Sequence, residues 1–508
     1  MPEDRVLQKE IKKLNQIGIA LSSEINLEKL LELIVREARE FTRADAGSLY
    51  ILEDGKLFFH VAQNQTLIRR PDPPPGFRPY PLPLSRESVA GYVAITGEIL
   101  NIENAYSLPE TVPYSFNPDF DLRNDYVTRS MIVVPMKDRE GQILGVLQLI
   151  NAMDKITTAT VFPKSVEDLV MSLASQAAVA IRNAKLIVDI KRLFEALIRY
   201  SVSAIDARSP HTAGHSRRVA AYSGAIALAI NKQTTGPFAD VFFTPEQTEE
   251  LSYAAWLHDI GKIGVSERIL DKKNRLSDEA MEAIVNRFEL IKALKLNRIH
   301  QAGHAGNISS PEGGKDGPDD SISEEINKVE QEIEADLSFI QRVNRSNFLS
   351  DEDLATLEVI ASKTYENLSG NMTPCISEKE FKHLSVRKGN LTAEEYEKIQ
   401  THVEFTHNIV KNIPFTRTLK NVPFFSATHH ELLDGTGYPR GLKGDEIPLQ
   451  SRILSVVDVF DALTAADRPY RRAISPEKGG EILKAEAEAG RLDKNIVNLF
   501  LDKELYKL

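Results

Sequence analysis

Apolar positions change period along this chain of 508 residues, and each change predicts a new kind of element. Ile17, Leu21, Ile25, Leu27, Leu30, Leu31, Ile34 and Val35 recur at helical spacing, so residues 5–40 read as helix. Strand-like runs follow at 47–52, 56–61, 130–136 and 143–151, with Asp138-Arg139-Glu140-Gly141 joining the last two as a hairpin turn. Pro71–Pro83 contains seven prolines and predicts a loop. Residues 164–205 contain no strong breaker. Val166, Leu169, Val170, Leu173, Ala177, Ala180, Ile181 and Ala184 form one stripe there, continued by Ile187, Ile190, Leu193, Phe194, Leu197 and Ile198. This predicts one long helix, well beyond the about 12 residues of an ordinary one. It reads either as a parallel coiled coil between two protomers, which we favour, or as a terminal helix abutting the next domain.

Composition narrows the class. The length exceeds one hydrophobic core, so two or three domains are expected. Hydrophobic content of 42% and charged content of 27% are those of an ordinary globular protein. No apolar run reaches the roughly 18 residues of a membrane span, and Met1-Pro2-Glu3-Asp4-Arg5 opens no signal-peptide core. Cys375 is the single cysteine, which excludes an internal disulfide and a cysteine zinc site. A cytoplasmic location is the expectation. The net charge of −11 argues against general affinity for nucleic acid or an anionic membrane, so an anionic substrate needs a local cationic patch or bound metal.

The candidate chemistry lies in two strings. Leu257-His258-Asp259-Ile260-Gly261-Lys262-Ile263-Gly264 places an imidazole and a carboxylate side by side after the apolar run Leu251 to Leu257. Such a mixed N/O set suits iron, manganese, zinc or nickel. His429-His430-Glu431-Leu432-Leu433-Asp434-Gly435-Thr436-Gly437-Tyr438-Pro439 adds two nitrogens and a Gly-rich turn able to approach a ligand closely. Together they resemble the HD-GYP family, metal-dependent phosphodiesterases that open cyclic di-GMP. The strand order with Ser88–Gly97 and Gly145–Asn151 resembles a GAF domain, a small α/β sensory module, over about residues 20–185.

These resemblances imply a multidomain chain: an N-terminal helix at 1–24, an α/β GAF sensor domain at 25–165, a long signalling helix or linker at 166–200, and an all-α HD-GYP domain at 201–508. An internal repeat points to a helical insertion in the last. Lys273-x-x-Leu276-x-x-Glu279-x-x-Glu282-x-Ile284-x-x-Arg287-x-Glu289 matches Lys388-x-x-Leu391-x-x-Glu394-x-x-Glu397-x-Ile399-x-x-His402-x-Glu404 at an offset of 115. In the family this segment ends on a metal-binding histidine. Only the second copy has one, so residues of about 275–388 read as inserted and His402 as the ligand. The insertion carries a Gly/Pro/Asp-rich loop, Ala305–Ser321. A helix follows with Ile322, Ile326, Val329, Ile333, Leu337, Ile340 and Val343 on one face, to be buried against the HD core or a second protomer.

The resemblance implies metal ligation by His215, His258, Asp259, His402, His429, His430 and Asp458, with Asp259 bridging and Asp461 in a supporting hydrogen bond. His211, four residues before His215, is a further candidate ligand; otherwise it is a rim residue. So many donors imply two or three divalent ions, iron or manganese foremost. Two close metals suit an in-line phosphoryl displacement. Asp259 and Lys262 are the candidate catalytic residues, Lys262 contacting phosphate and protonating the leaving 3′ oxygen. Lys262, Gly437, Tyr438, Pro439, Arg468 and Arg471 are the candidate substrate contacts, Tyr438 by stacking on guanine. Ala465-Ala466 makes the run from Asp458 to Arg468 one residue longer than the family pattern, which affects the reach of Arg468. His300 and His304 read as solvent-exposed, and His407 as structural.

The expected activity is hydrolysis of cyclic di-GMP to pGpG and onward to GMP, in a homodimer regulated by a small-molecule GAF ligand. The alternatives are another cyclic or linear nucleotide as substrate, and a weakly active nucleotide-responsive scaffold. The complete ligand set argues against the scaffold.

Overall fold

The computed structural model describes residues 2–70, 79–155, 158–208, 214–307, 318–465 and 473–507. It divides into two units, Met1–Glu195 and Ala196–Leu508.

The N-terminal stripe makes two helices, Pro2–Ser23 and Leu27–Thr42, where its spacing predicted one. Asn26 causes the break. Its backbone is extended and its side chain accepts the Lys29 amide at 3.0 Å, which starts a new helix. Strands β1 (Ala44–Glu53), β2 (Lys56–Asn64), β3 (Tyr80–Leu82), β4 (Leu100–Ile102), β5 (Met131–Lys137), β6 (Ile143–Lys155) and β7 (Thr158–Thr160) form one antiparallel sheet. Its order is β3-β2-β1-β6-β5-β4, with β7 also on β6. The predicted β5–β6 hairpin is present. Asp138 closes its turn by accepting the amides of Glu140 and Gln142, each at 2.9 Å. The proline-rich segment departs from the loop expectation at β3, where Pro81 pairs opposite Phe58. As an edge strand, β3 accommodates a residue without an N–H; residues 71–78 lie outside the described residues.

The helix Lys164–Arg208 runs unbroken for 45 residues, and its stripe divides in two. Val170, Leu173, Ala177, Ile181 and Ala184 are buried with Leu30, Ile34, Ile132 and Leu147 in the core of the first unit. Ile187, Ile190, Leu193 and Leu197 are instead 46%, 65%, 71% and 62% exposed. Ile198, at the end of the same stripe, is buried, so four positions of the second half remain exposed.

The second unit is helical apart from the ribbon Thr364–Glu366 and Met372–Pro374. Helices His215–Ile230, Pro245–Leu257, His402–Val410 and Leu449–Thr464 carry the predicted chemistry. The insertion packs on itself. Ile333, Ile340 and Val343 share a core with Ile284, Phe288, Leu357 and Leu384, all within or beside the insertion. The apolar face of helix Pro318–Arg345 is therefore covered from inside the insertion, a correction to the two partners expected for it. The chain enters and leaves at one point. Arg275, fully buried, donates to the carbonyls of Val343 at 2.7 Å and Val386 at 2.8 Å, and Asn390 donates to the Lys272 carbonyl. The two sequence copies also fold differently. The first continues as one helix, Asp278–Asn307, whereas the second ends at Gln400 and starts again at His402.

Candidate metal centre

Each candidate ligand is set by its local structure. Helix Pro245–Leu257 begins with a reciprocal cap between Thr244 and Gln247 and ends at His258. The chain then tightens into a 3-10 turn, Ile260–Gly264. Gly261 allows the His402 helix to approach, because a Cβ there would lie 2.0 Å from the His402 carbonyl and 2.3 Å from the Thr406 amide. Asp458 and Asp461 are three apart on helix Leu449–Thr464 and turn the same way.

These elements bring the seven predicted ligands together. His215 Nε2 lies 3.2 Å from His258 Nε2, 3.5 Å from Asp259 and 3.1 Å from Asp458. His258 Nε2 lies 3.4 Å from Asp259, and His402 Nε2 lies 3.5 Å from the other Asp259 oxygen. His430 Nδ1 is 3.9 Å from Asp458, and the His429 and His430 rings are 4.1 Å apart. Asp259 thus faces both groups, with one oxygen toward His215 and His258 and the other toward His402.

The second ring nitrogens are already committed. His258, His402 and His429 place Nδ1 at 2.7, 2.6 and 2.7 Å from the carbonyls of Ala255, Ile399 and Ser426. His215 places Nδ1 2.7 Å from Asp461, which also accepts from Arg218 at 2.5 and 3.0 Å. With Nδ1 donating, each Nε2 is a lone-pair donor aimed into the site. The Nε2 atoms of His402 and His429 are buried and have no hydrogen-bond partner. Buried imidazole nitrogens without partners are costly, and a cation satisfies them. The donor set therefore fits divalent metal.

Electrostatics separate two subsites. Burial holds His429 well below its ordinary value, lowers His402, and brings His430 down to about 4. All three are neutral near pH 7, the form in which an imidazole nitrogen can bind a cation. Burial also opposes charge on His215 and His258, but the adjoining carboxylates outweigh it, raising His215 well above its ordinary value and His258 to about 9. Asp259 and Asp458 are held well below the carboxylate range despite burial, Asp259 chiefly by Lys262 and His258 and Asp458 by His215 and His258. Without a cation the carboxylates draw protons onto the imidazoles; a cation takes the place of those protons.

Lys262 donates to Asp259 at 2.5 Å, so it sits at the carboxylate that faces both groups. In the glycine-rich turn, a Cβ on Gly437 would lie 2.3 Å from the Leu432 amide, so the loop closes only around glycine. Tyr438 lies against His430, with ring centroids 4.8 Å apart, and the exposed Pro439 follows through a cis peptide bond. His211, Arg468 and Arg471 lie outside the described residues. His300 is exposed, His407 points Nδ1 to the Pro423 carbonyl at 3.3 Å, and the His304 side chain is outside the described residues.

Three supporting residues escaped the sequence reading. Arg218, one turn after His215, holds Asp461. Thr406 binds the His258 segment. Buried Glu431 accepts the amides of Arg440 at 2.7 Å and Leu442 at 2.9 Å, fixing the far end of the glycine-rich turn. Arg218 and Glu431 each adjoin a ligand motif, which was the available signal. Thr406 had none.

Comparison with known proteins agrees with this architecture. Residues 26–181 match the GAF domain family, and residues 212–335 and 379–496 match HD domain families. The 3′3′-cGAMP-specific phosphodiesterase 3 of Vibrio cholerae serotype O1 is 28% identical over 282 residues, covering 55% of this chain and 33% of the relative. The 3′3′-cGAMP-specific phosphodiesterase 1 of the same organism is 38% identical over 124 residues, 24% of this chain and 28% of the relative. The cyclic di-GMP phosphodiesterase response regulator RpfG of Xanthomonas campestris pv. campestris is 39% identical over 88 residues, 17% of this chain and 23% of the relative. The matched segments thus span 33% or less of the length of these curated relatives. A solved GAF domain from a Coxiella burnetii phosphoenolpyruvate-protein phosphotransferase is 24% identical, covering 35% of this chain and 95% of that one, with a TM-score of 0.28.

Proposed function

We propose that this chain, a GAF domain joined to an HD domain of the HD-GYP type, is a metal-dependent phosphodiesterase that hydrolyses cyclic di-GMP to pGpG and onward to GMP. The observation that carries the reading is the convergence of His215, His258, Asp259, His402, His429, His430 and Asp458, with the buried Nε2 atoms of His402 and His429 unpartnered. Two divalent ions, iron or manganese, would supply Lewis-acid charge at a phosphate diester there. The chain's own groups do the rest. As water adds to phosphorus, releasing a proton to solvent, and the P–O3′ bond breaks, Lys262 leaves Asp259 for a non-bridging phosphate oxygen and donates its proton to the leaving 3′ oxygen. Asp461 and Arg218 hold His215 in its tautomer and orientation. Tyr438 and the close-lying Gly437 backbone offer a face for a guanine; Arg468 and Arg471 stay candidate substrate contacts and His211 a candidate metal ligand.

A second substrate, 3′3′-cGAMP, is favoured by the printed names of two relatives. Turnover of both dinucleotides by protein loaded anaerobically with iron or manganese separates the cases. Preferential opening of cyclic di-GMP supports the proposal, preference for 3′3′-cGAMP reassigns the substrate, and hydrolysis of neither overturns the cyclic-dinucleotide phosphodiesterase reading.

A further inference from the structure

Between the insertion and the HD helices lies a cleft of about 750 Å³. That is within the roughly 300–1,000 Å³ typical of small-molecule sites. None of the proposed metal ligands lines it. Its walls come from the chain after Gly264, from the foot of the insertion, and from Glu395–Phe405, which leads into the His402 helix.

The charges in this cleft are unbalanced. Both lining carboxylates are held by cations. Glu395 pairs with Lys272 at 2.6 Å and lies 3.5 Å from His383, and Glu380 pairs with Arg287 at 2.8 Å. Arg268, Lys379 and Lys398 come from three separate segments and make no ion pair among the described residues. An acidic chain thus lines this cleft with three exposed cations outside any ion pair, Arg268 with Glu279 as an acidic neighbour, a condition for local anion capture. The floor is apolar, from Val265, Ile269 and Leu276, and Phe405 on the same wall is 41% exposed.

We propose that this cleft is a second ligand site, for an organic phosphate with a flat apolar body such as a nucleoside monophosphate, and that its occupancy bears on the metal centre through the His402 helix. Lys379, Lys398 and Arg268 take the phosphate, and Phe405 faces the base. Thr401 and Phe405 line the cleft on either side of His402 in sequence, so an occupant contacts the element that carries that ligand. The regulatory half rests on the proposed hydrolysis; the binding half does not.

Calorimetric titration of GMP into the full-length protein as purified tests it, beside Lys379→Glu/Lys398→Glu, Lys398→Glu alone and Asp259→Asn. The wild type is expected to show a binding event weakened at least about tenfold in the double variant, less in the single, and retained in Asp259→Asn. Helical circular dichroism and metal content should match wild type in both lysine variants. Inorganic phosphate should bind more weakly than GMP. Unchanged GMP binding in the double variant, or binding lost only with Asp259→Asn, overturns the site, and equal affinity for phosphate overturns the apolar body. Absent dinucleotide hydrolysis in every protein would sink the proposed function while leaving this binding result standing.

Discussion

The Thr406 hydroxyl donates to the His258 carbonyl at 2.9 Å, joining residues 148 positions apart. The same oxygen accepts the Gly261 amide at 3.0 Å, so one buried side chain fastens the His258-Asp259 turn to the His402 helix. Thr406→Val keeps the volume but leaves a buried carbonyl and amide without partners. Each unsatisfied group costs about 1–3 kcal/mol. The expected result is a stability loss of that order and reduced metal per chain, whereas Thr406→Ser retains both. Denaturant unfolding and metal analysis of the two variants check this; equal behaviour of Val and Ser would remove the clamp.

Asp259→Asn is expected to abolish hydrolysis and lower metal content while the helical spectrum persists. Its two oxygens face opposite ligand groups, and an amide brings no negative charge to either. Asp461→Asn acts one layer out, through His215, and should weaken metal binding about 10–100-fold. Near-wild-type turnover with full metal in Asp259→Asn would falsify the bridging role.

The two copies of the internal repeat give opposite outcomes. His402→Ala should lose metal. Arg287→Ala should keep it but loosen the insertion, because Arg287 bonds Glu380 at 2.8 and 3.0 Å and the Cys375 carbonyl at 3.0 Å. Arg287→His should not rescue His402→Ala. Burial opposes charge on Glu380, yet Arg287 and the Ser377 cap hold its carboxyl below the usual value. Its contribution to stability is therefore present above the ordinary glutamate value of 4.5 and is lost as pH falls through the lower folded value. Hydrogen exchange in the insertion should rise across that acid window, and less so in Glu380→Gln. Metal content that follows Arg287 and ignores His402 would reverse the assignment.

The outward half of the long helix makes a phase prediction. Ile190, Leu193 and Leu197 are exposed at alternating spacings of three and four, as a coiled-coil seam requires. Inserting two residues near Lys191 turns the downstream segment by about 200°, at roughly 100° per residue, and inserting seven nearly restores phase. Self-association and hydrolysis should change strongly with two and little with seven. Equal results from both insertions would leave the helix outside the mechanism.

The sequence alone indicated most local elements and the candidate ligands that folding brings together. Periodicity located four of the seven sheet strands, β1, β2, β5 and β6, and the long helix, because alternation and helical spacing are written within a few residues; the three-residue strands β3, β4 and β7 are too short to carry a period. The candidate ligands were legible because histidine and aspartate occur in strings resembling a known motif, and the repeat singled out His402 over Arg287 as the candidate. Only the tertiary structure decided what each apolar face covers. The stripe on Lys164–Arg208 looks continuous, yet its first half is buried in the core of the first unit, whereas Ile187, Ile190, Leu193 and Leu197 of its second are exposed. The face of Pro318–Arg345 is closed by the insertion itself. A stripe records that a face avoids water but carries no mark of its partner. The same holds for Thr406, an ordinary helical threonine until folding brings a carbonyl from 148 residues away within 2.9 Å. Hydrogen-bond partners at that separation are chosen by packing, which no local pattern encodes.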